Sequence, residues 1–179
     1  MSAVIVLIPA YQPDLRLVHL VRSLPQALAV DTVLVVDDGS GPTYDAVFAQ
    51  AADAGAVVLR HPRNRGKGHA LRAGFAWVAD HRPDHPVVCA DCDGQHTPAD
   101  IGRVADHIVP GTMLLGGRRF TGDVPLRSRL GNAVTRRVFG LATGLSVHDT
   151  QTGLRGYPPG LLRWLGSVRG DRFEYEFNL

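Results

Sequence analysis

The residues best suited to chemistry in this 179-residue chain are carboxylates in two short clusters, Asp37-Asp38 and Asp91-Cys92-Asp93. Two carboxylates one residue apart, with Gln95 on the same turn as a neutral oxygen ligand, can share one hard divalent cation such as Mg2+ or Mn2+. Such a cation neutralises the charge that develops on a diphosphate leaving group. The plainer account is a solvated acidic turn built on Asp93-Gly94. Asp37-Asp38, followed by Gly39-Ser40, can hold a nucleobase or ribose through carboxylate hydrogen bonds, form a tight turn, or do both. Further along, Gly66-Lys67-Gly68 offers exposed backbone amides and one cation at a helix start, which suits a phosphate. It is not a P-loop, because the GxxxxGK[ST] spacing is absent.

These clusters fall at the ends of expected strands. Ala3–Ile8 reads as a fully buried strand running into Pro9-Ala10-Tyr11, and Asp14–Leu28 as a helix with Leu17, Leu20, Val21 and Leu24 on one side. Thr32–Val36, Ala56–Leu59 and Pro86–Ala90 read as strands that run into Asp37-Asp38, into Arg63–Gly68 and into Asp91-Cys92-Asp93. Helices are expected over Tyr44–Ala54, over Lys67–Ala79 and from Thr97-Pro98, with Thr97 as N-cap and Pro98 at the first helical position. Thr112–Leu115 is a fifth strand. Apolar strands alternating with helices imply an α/β fold with a parallel sheet covered on both faces. In such sheets ligands bind at the carboxyl ends of the strands, so four clusters at four strand ends argue for one crevice.

The second half is less regular: a Gly- and Arg-rich loop over Gly116–Arg127, a helix near Leu130–Ala142, a polar turn from His148 to Gly153 and a short strand at Leu154–Tyr157. Six arginines fall between Arg118 and Arg137, with only Asp123 to offset them. Arg136 and Arg137, inside the expected helix, read as a solvated face. Composition, at 45% hydrophobic and 20% charged, is that of one globular domain and excludes a disordered chain. No apolar run approaches the about 20 residues needed to span a bilayer. The apolar start lacks the basic region and cleavage site of a signal peptide.

Cys89 and Cys92 are the only cysteines, so a reducing compartment is the default. Their CxxC spacing is not read as a redox or zinc pair, because Cys89 lies in an expected buried strand rather than at a helix start. His148, beside Asp149, could approach the metal but is read as a loop histidine. Phe75, Trp77 and Trp164 are read as packing residues, and Glu174 and Glu176 as structural or acceptor-side.

Taken in order, Ile8-Pro9-Ala10-Tyr11, Val35–Ser40, Asn64–Gly68 and Asp91–Gln95 resemble the family 2 glycosyltransferases of GT-A fold. Gly117-Arg118-Arg119-Phe120 and Asp149–Gly156 resemble the dolichyl- or polyprenyl-phosphate sugar synthase branch. The resemblance runs from about residue 4 to the last residue. It implies a GT-A, Rossmann-like fold with a mostly parallel central sheet and helices on both faces, as a single catalytic domain over 1–179 that ends before the family's core does. It also implies an inverting transfer from a UDP- or GDP-linked sugar to a polyprenyl or dolichyl phosphate. Pro9, Ala10, Tyr11, Asp37 and Asp38 would contact the nucleoside. Lys67 would lie near the donor phosphates, with Asp91 and Cys92 also on the donor side. Asp91, Asp93 and Gln95 would bind Mg2+ or Mn2+. Arg119 would grip the acceptor phosphate with help from Arg127 and Ser128, and Asp149 stands where a catalytic base is often placed, making Asp149, Asp93 and Arg119 the catalytic set. The family usually continues its first motif as Tyr-Asn-Glu, whereas this chain has Tyr11-Gln12-Pro13, which leaves one nucleoside contact open.

A phosphate monoester with a second pKa of about 6 is already largely ionised at neutral pH. Such an acceptor needs gripping and aiming more than deprotonation, a task suited to arginine, and Asp149 is expected mainly to orient groups or stabilise charge. The expected setting is the cytoplasmic face of a membrane, with a membrane partner or a following transmembrane segment and no nucleic acid. The alternatives are a family 2 transferase acting on a hydroxyl acceptor, a sugar nucleotidyltransferase, disfavoured because the early GxGxR loop is missing, and a non-catalytic nucleotide-sugar-binding partner of a membrane complex.

Overall fold

The computed structural model describes residues 3–116 and 153–179. The arginine-rich loop, the helix expected near Leu130–Ala142, and Arg119, Arg127, Ser128, His148 and Asp149 lie outside the described residues. The chain runs β1 (Val4–Ala10), α1 (Leu15–Ala27), β2 (Val30–Asp37), α2 (Asp45–Asp53), β3 (Val57–Arg60), α3 (Lys67–His81), β4 (Val87–Cys89), α4 (Pro98–Asp106), β5 (Leu114–Leu115), β6 (Arg155–Tyr157), α5 (Leu162–Ser167) and α6 (Glu174–Asn178). Among the described residues the six strands form one sheet in the order β3-β2-β1-β4-β6-β5. Strands β1 to β4 are parallel, with Leu7 opposite both Leu34 and Cys89, and β6 runs antiparallel to β4 and to β5. This is the mostly parallel α/β sheet that the resemblance implies; the alternation of elements alone implies a fully parallel one, and β6 departs from it.

Strand β1 shows why the run is apolar throughout. Val4, Val6, Ile8 and Ala10 pack with α1, α2 and α4 on one face, while Ile5 and Leu7 pack with Ala70, Leu71, Phe75, Leu162, Leu165 and Tyr175 on the other. Alternate side chains leave opposite faces of a strand, so a strand covered on both sides needs apolar residues at every position. Fully burying each Leu or Ile contributes about 1.5–3 kcal/mol, which seats firmly the strand that ends in Pro9-Ala10-Tyr11. Phe75 is fully buried. Trp77 is half-buried and stacks on His81 with ring centroids 4.5 Å apart. Trp164 does not pack as expected: on α5 it is 47% exposed, because Leu162 and Leu165 carry that helix's contact with the sheet.

Helix α4 starts where the sequence signals it. The Thr97 hydroxyl accepts from the Asp100 amide, and the Asp100 carboxylate accepts from the Thr97 amide, a reciprocal cap with Pro98 at the first helical position. The cap ends the Asp91–His96 turn and fixes its exit. Because the chain moves outward from β1 to β2 and β3 and then returns to place β4 on the other side of β1, the order reverses between β1 and β4. Ligand crevices in open parallel sheets lie at that reversal, beyond the carboxyl ends of the strands.

Candidate active site

Three strand ends meet at the reversal. From β1, Pro9 and Ala10 are buried and Tyr11 is 48% exposed, so of these three Tyr11 has the side chain most open to a ligand. The Cys92 thiol reaches the Tyr11 backbone and joins the β1 and β4 ends; burial first, and the neighbouring Asp91 and Asp93, push this thiol above its ordinary range. Burial pushes the Cys89 thiol up further, which leaves Cys89 an inert packing group.

At the end of β2 the carboxylates turn inward. Asp37 Oδ1 accepts from the Ser40 amide at 2.8 Å. The Ser40 hydroxyl oxygen accepts in turn from the Gln12 amide at 2.8 Å, and Gln12 sits at a positive φ of 51°. Asp38 accepts from the Arg65 amide at 3.0 Å and the Gly66 amide at 2.7 Å, and faces His61 Nδ1 at 3.2 Å. Both carboxylates, placed in the sequence as nucleoside contacts, therefore frame the loops around the crevice through backbone amides.

The amides expected to stay exposed at Gly66-Lys67-Gly68 are partly committed. The Gly66 amide donates to Asp38, and the His69 amide donates to the Asp171 carbonyl at 3.0 Å. Gly66 has a φ of 102°, and a Cβ on Gly66 or Gly68 would overlap the backbone of Asp171 or the side chain of Tyr175. These glycines admit the segment before α6 against the start of α3.

Lys67 points into the crevice between two carboxylates. Its ammonium lies 2.8 Å from Asp91 Oδ1 and 2.9 Å from Glu176 Oε2, with the lysine side chain 19% exposed. Burial alone would lower its pKa, but Glu176 and Asp91 outweigh that and raise it. Asp91 Oδ2 faces His96 Nε2 at 3.3 Å. Burial works to raise the Asp91 pKa, yet the hydrogen bond from His96 and the Lys67 ammonium hold this carboxyl well below the usual carboxylate range. Gly153 lies so close to Asp91 that a Cβ there would overlap the carboxylate. Asp93 turns towards its own loop, accepting from the Gln95 amide at 2.9 Å and from Gln95 Nε2 at 2.5 Å.

Among the described residues no three or more His, Cys, Asp and Glu side chains cluster as a metal site. Two carboxylates and an amide side chain still fit Mg2+ or Mn2+, which keep several positions for water and phosphate oxygens. A cation, the Lys67 ammonium, already stands on Asp91 Oδ1, so this oxygen is one that favours positive charge.

Residues 5–162 match the family described as Glycosyl transferase family 2. The chain belongs to this family and is a glycosyltransferase. This glycosyltransferase is 30% identical over 183 residues to the polyprenol monophosphomannose synthase of Mycolicibacterium smegmatis, covering 98% of this chain and 69% of that protein. It is 27% identical over 190 residues to the UDP-N-acetylglucosamine--dolichyl-phosphate N-acetylglucosaminyltransferase of Methanococcus voltae, covering 94% and 74%. Its named relatives thus lie in the polyprenyl-phosphate sugar synthase branch. Its fold matches glucosyl-3-phosphoglycerate synthase of Mycobacterium tuberculosis, crystallised with Mg2+ and UDP, with a TM-score of 0.71 at 19% identity over 97% of this chain. The glycosyltransferase spans 62% of that solved chain. No helix among its described residues is long and apolar enough to cross a membrane.

Two participants were missed in the sequence: His96 follows Asp91 by five residues without any metal-ligand spacing, and Gly153 sits inside a motif read for its polar members. Glu176 was read as structural or acceptor-side, and its place beside Lys67 comes from a helix distant in sequence.

Proposed function

We propose that this glycosyltransferase moves a sugar from a nucleotide-sugar donor to a polyprenyl phosphate, with inversion at the anomeric carbon and with help from Mg2+ or Mn2+. The observation that carries the reading is Asp91: a carboxylate at the carboxyl end of β4, at the strand reversal, already holding a cation. The relatives that act on dolichyl and polyprenyl phosphates support the acceptor class.

In this reading Asp91, Asp93 and Gln95 hold the metal, which neutralises charge on the departing diphosphate when bound. Tyr11 and the loops framed by Asp37 and Asp38 receive the nucleoside, and Lys67 is the protein cation nearest the diphosphate. Arg119, with Arg127 and Ser128, aims the acceptor phosphate. One of its oxygens forms the new bond to the anomeric carbon as the bond from that carbon to the donor diphosphate oxygen breaks, and the electron pair leaves with the diphosphate. Because the acceptor oxygen arrives ionised, Asp149 orients groups or stabilises charge rather than removing a proton. The arginines from Arg118 to Arg137 suit an anionic headgroup surface, which supports a reaction at the cytoplasmic face of a membrane.

The test is a thermal-shift panel of UDP- and GDP-sugars with and without Mn2+, read with transfer to a short polyprenyl phosphate. One nucleotide class should raise the melting temperature only with the metal, and Asp91→Ala should abolish that rise. A metal-independent shift that survives Asp91→Ala, or transfer to a hydroxyl acceptor but not to the lipid phosphate, overturns the reading.

A further inference from the structure

Glu176 has no part in the chemistry just described, yet it is built into the site. Its carboxylate is 12% exposed and lies 2.9 Å from the Lys67 ammonium. Its backbone carbonyl accepts from Arg155 Nη1 at 2.8 Å, and Arg155 is itself 3% exposed. The adjacent Tyr175 is fully buried and donates its hydroxyl to the Leu165 carbonyl at 2.7 Å. Helix α6 is thereby pinned at Glu176 itself and at the preceding Tyr175, and Gly68 lets it approach the start of α3. So firm an anchorage holds one carboxylate on the far side of Lys67 from Asp91.

An ammonium has three protons to donate, and Lys67 directs two of them to Asp91 Oδ1 and Glu176 Oε2. A divalent cation that takes Asp91 Oδ1 must displace Lys67 from that oxygen. An ammonium left in a largely enclosed place beside a divalent cation, with no anion of its own, is strongly unfavourable. The second carboxylate removes that difficulty, because Lys67 can lean on Glu176 while Asp91 changes partners.

We propose that Glu176 is a positioning residue that retains Lys67 when Asp91 exchanges the ammonium for a divalent cation, so that Lys67 stays beside the incoming diphosphate. This rests on the reading of Asp91 as a metal ligand. Glu176 touches neither metal nor substrate; it acts through Lys67.

The experiment measures Mn2+ binding to the whole chain, by the resonance signal of unbound Mn2+, with and without UDP or GDP, in wild type, Glu176→Gln, Lys67→Met and the double variant. Glu176→Gln should weaken Mn2+ binding about tenfold where Lys67 is present and about twofold or less where Lys67 is Met, since coupled neighbours lose their interaction once either is removed. Lys67→Met alone should bind Mn2+ without nucleotide about fivefold more tightly than wild type, because no ammonium has to be displaced. Equal weakening by Glu176→Gln in both backgrounds would mean that Glu176 only shapes the fold, and overturns the proposal. So does Lys67→Met affinity that is unchanged or lower, a measurement that stands even if Glu176→Gln does not fold. If wild type binds no Mn2+ with either nucleotide, the metal reading itself fails and this proposal falls with it; wild-type binding that Asp91→Ala abolishes keeps the two failures apart.

Discussion

At the end of β2, Asp38 accepts from the backbone amides of Arg65 and Gly66 and also faces the His61 ring, whereas at the end of β4, Asp91 meets side chains, those of Lys67 and His96. Both are acidic residues just past a parallel strand, on the same edge of the same sheet. A bond to a main-chain amide ties a carboxylate to the course of the chain, so exchanging it means reshaping a loop. Ammonium and imidazole groups sit at the ends of rotatable side chains, and another cation can take their place with the backbone unmoved. The first corner frames the crevice and the second is the one able to change partners.

Neutralising each corner sharpens this contrast. Asp91→Asn should lower sugar transfer by about a thousandfold, the scale of losing one preorganised electrostatic contact in the transition state, while stability at neutral pH changes by about 1 kcal/mol at most. Steady-state transfer and urea unfolding of the same preparation check both halves. Asp38→Asn should do the reverse. Asp38 is 3% exposed, and an amide NH2 turned towards a backbone donor leaves a buried group unmatched, which costs about 2 kcal/mol. Mn2+ affinity at Asp91 should stay within about twofold of wild type. A large kinetic loss in Asp38→Asn without lost stability would break the comparison and make Asp38 a direct ligand contact.

A third substitution acts on Asp91 from the backbone side. Gly153→Ala places a methyl on the Asp91 carboxylate. Overpacking of this kind costs about 1–3 kcal/mol, and here it also turns the carboxylate. Mn2+ affinity should therefore fall while the buried core is unaffected. Unchanged Mn2+ binding in Gly153→Ala would show that this carboxylate does not need its observed setting.

What was legible in the sequence was local or periodic. The apolar runs at β1, β2 and β4, the Thr97-Pro98 cap and the position of Asp91 past a strand end all follow from neighbours a few residues apart. The roles of the glycines at 66 and 68 were not, since their need for bare backbone comes from Asp171 and Tyr175 across the fold. Glu176 was legible as a carboxylate but not as a partner of Lys67, because only tertiary packing brings α6 to α3. Asp37 and Asp38 were read as a tight turn, as ligand contacts, or as both, because residue type tells what a carboxylate can accept, not which donors reach it first; the Ser40 amide on Asp37 is the turn.

The smallest expected effect tests whether charge, rather than shape, distinguishes the Asp91 corner. Burial opposes ionisation of Asp91, but His96 and Lys67 more than compensate, and the folded carboxyl titrates below its ordinary range. A depressed carboxylate contributes stability that is complete above the unfolded pKa, about 4, and is lost as pH falls through the folded value. Lys67 carries the opposite sign: burial is outweighed by Glu176 and Asp91, its pKa is raised, and its contribution is present below the ordinary lysine range and lost at higher pH. Both are intact near neutrality. The stability difference of about 1 kcal/mol between wild type and Asp91→Asn should then be largest around neutral pH and shrink below about pH 4. Thermal unfolding of the two proteins from pH 7 to pH 3 reads this directly. A difference that stays constant across that range would assign the Asp91 interactions to packing and hydrogen-bond shape, and the contrast with Asp38 would lose its electrostatic basis.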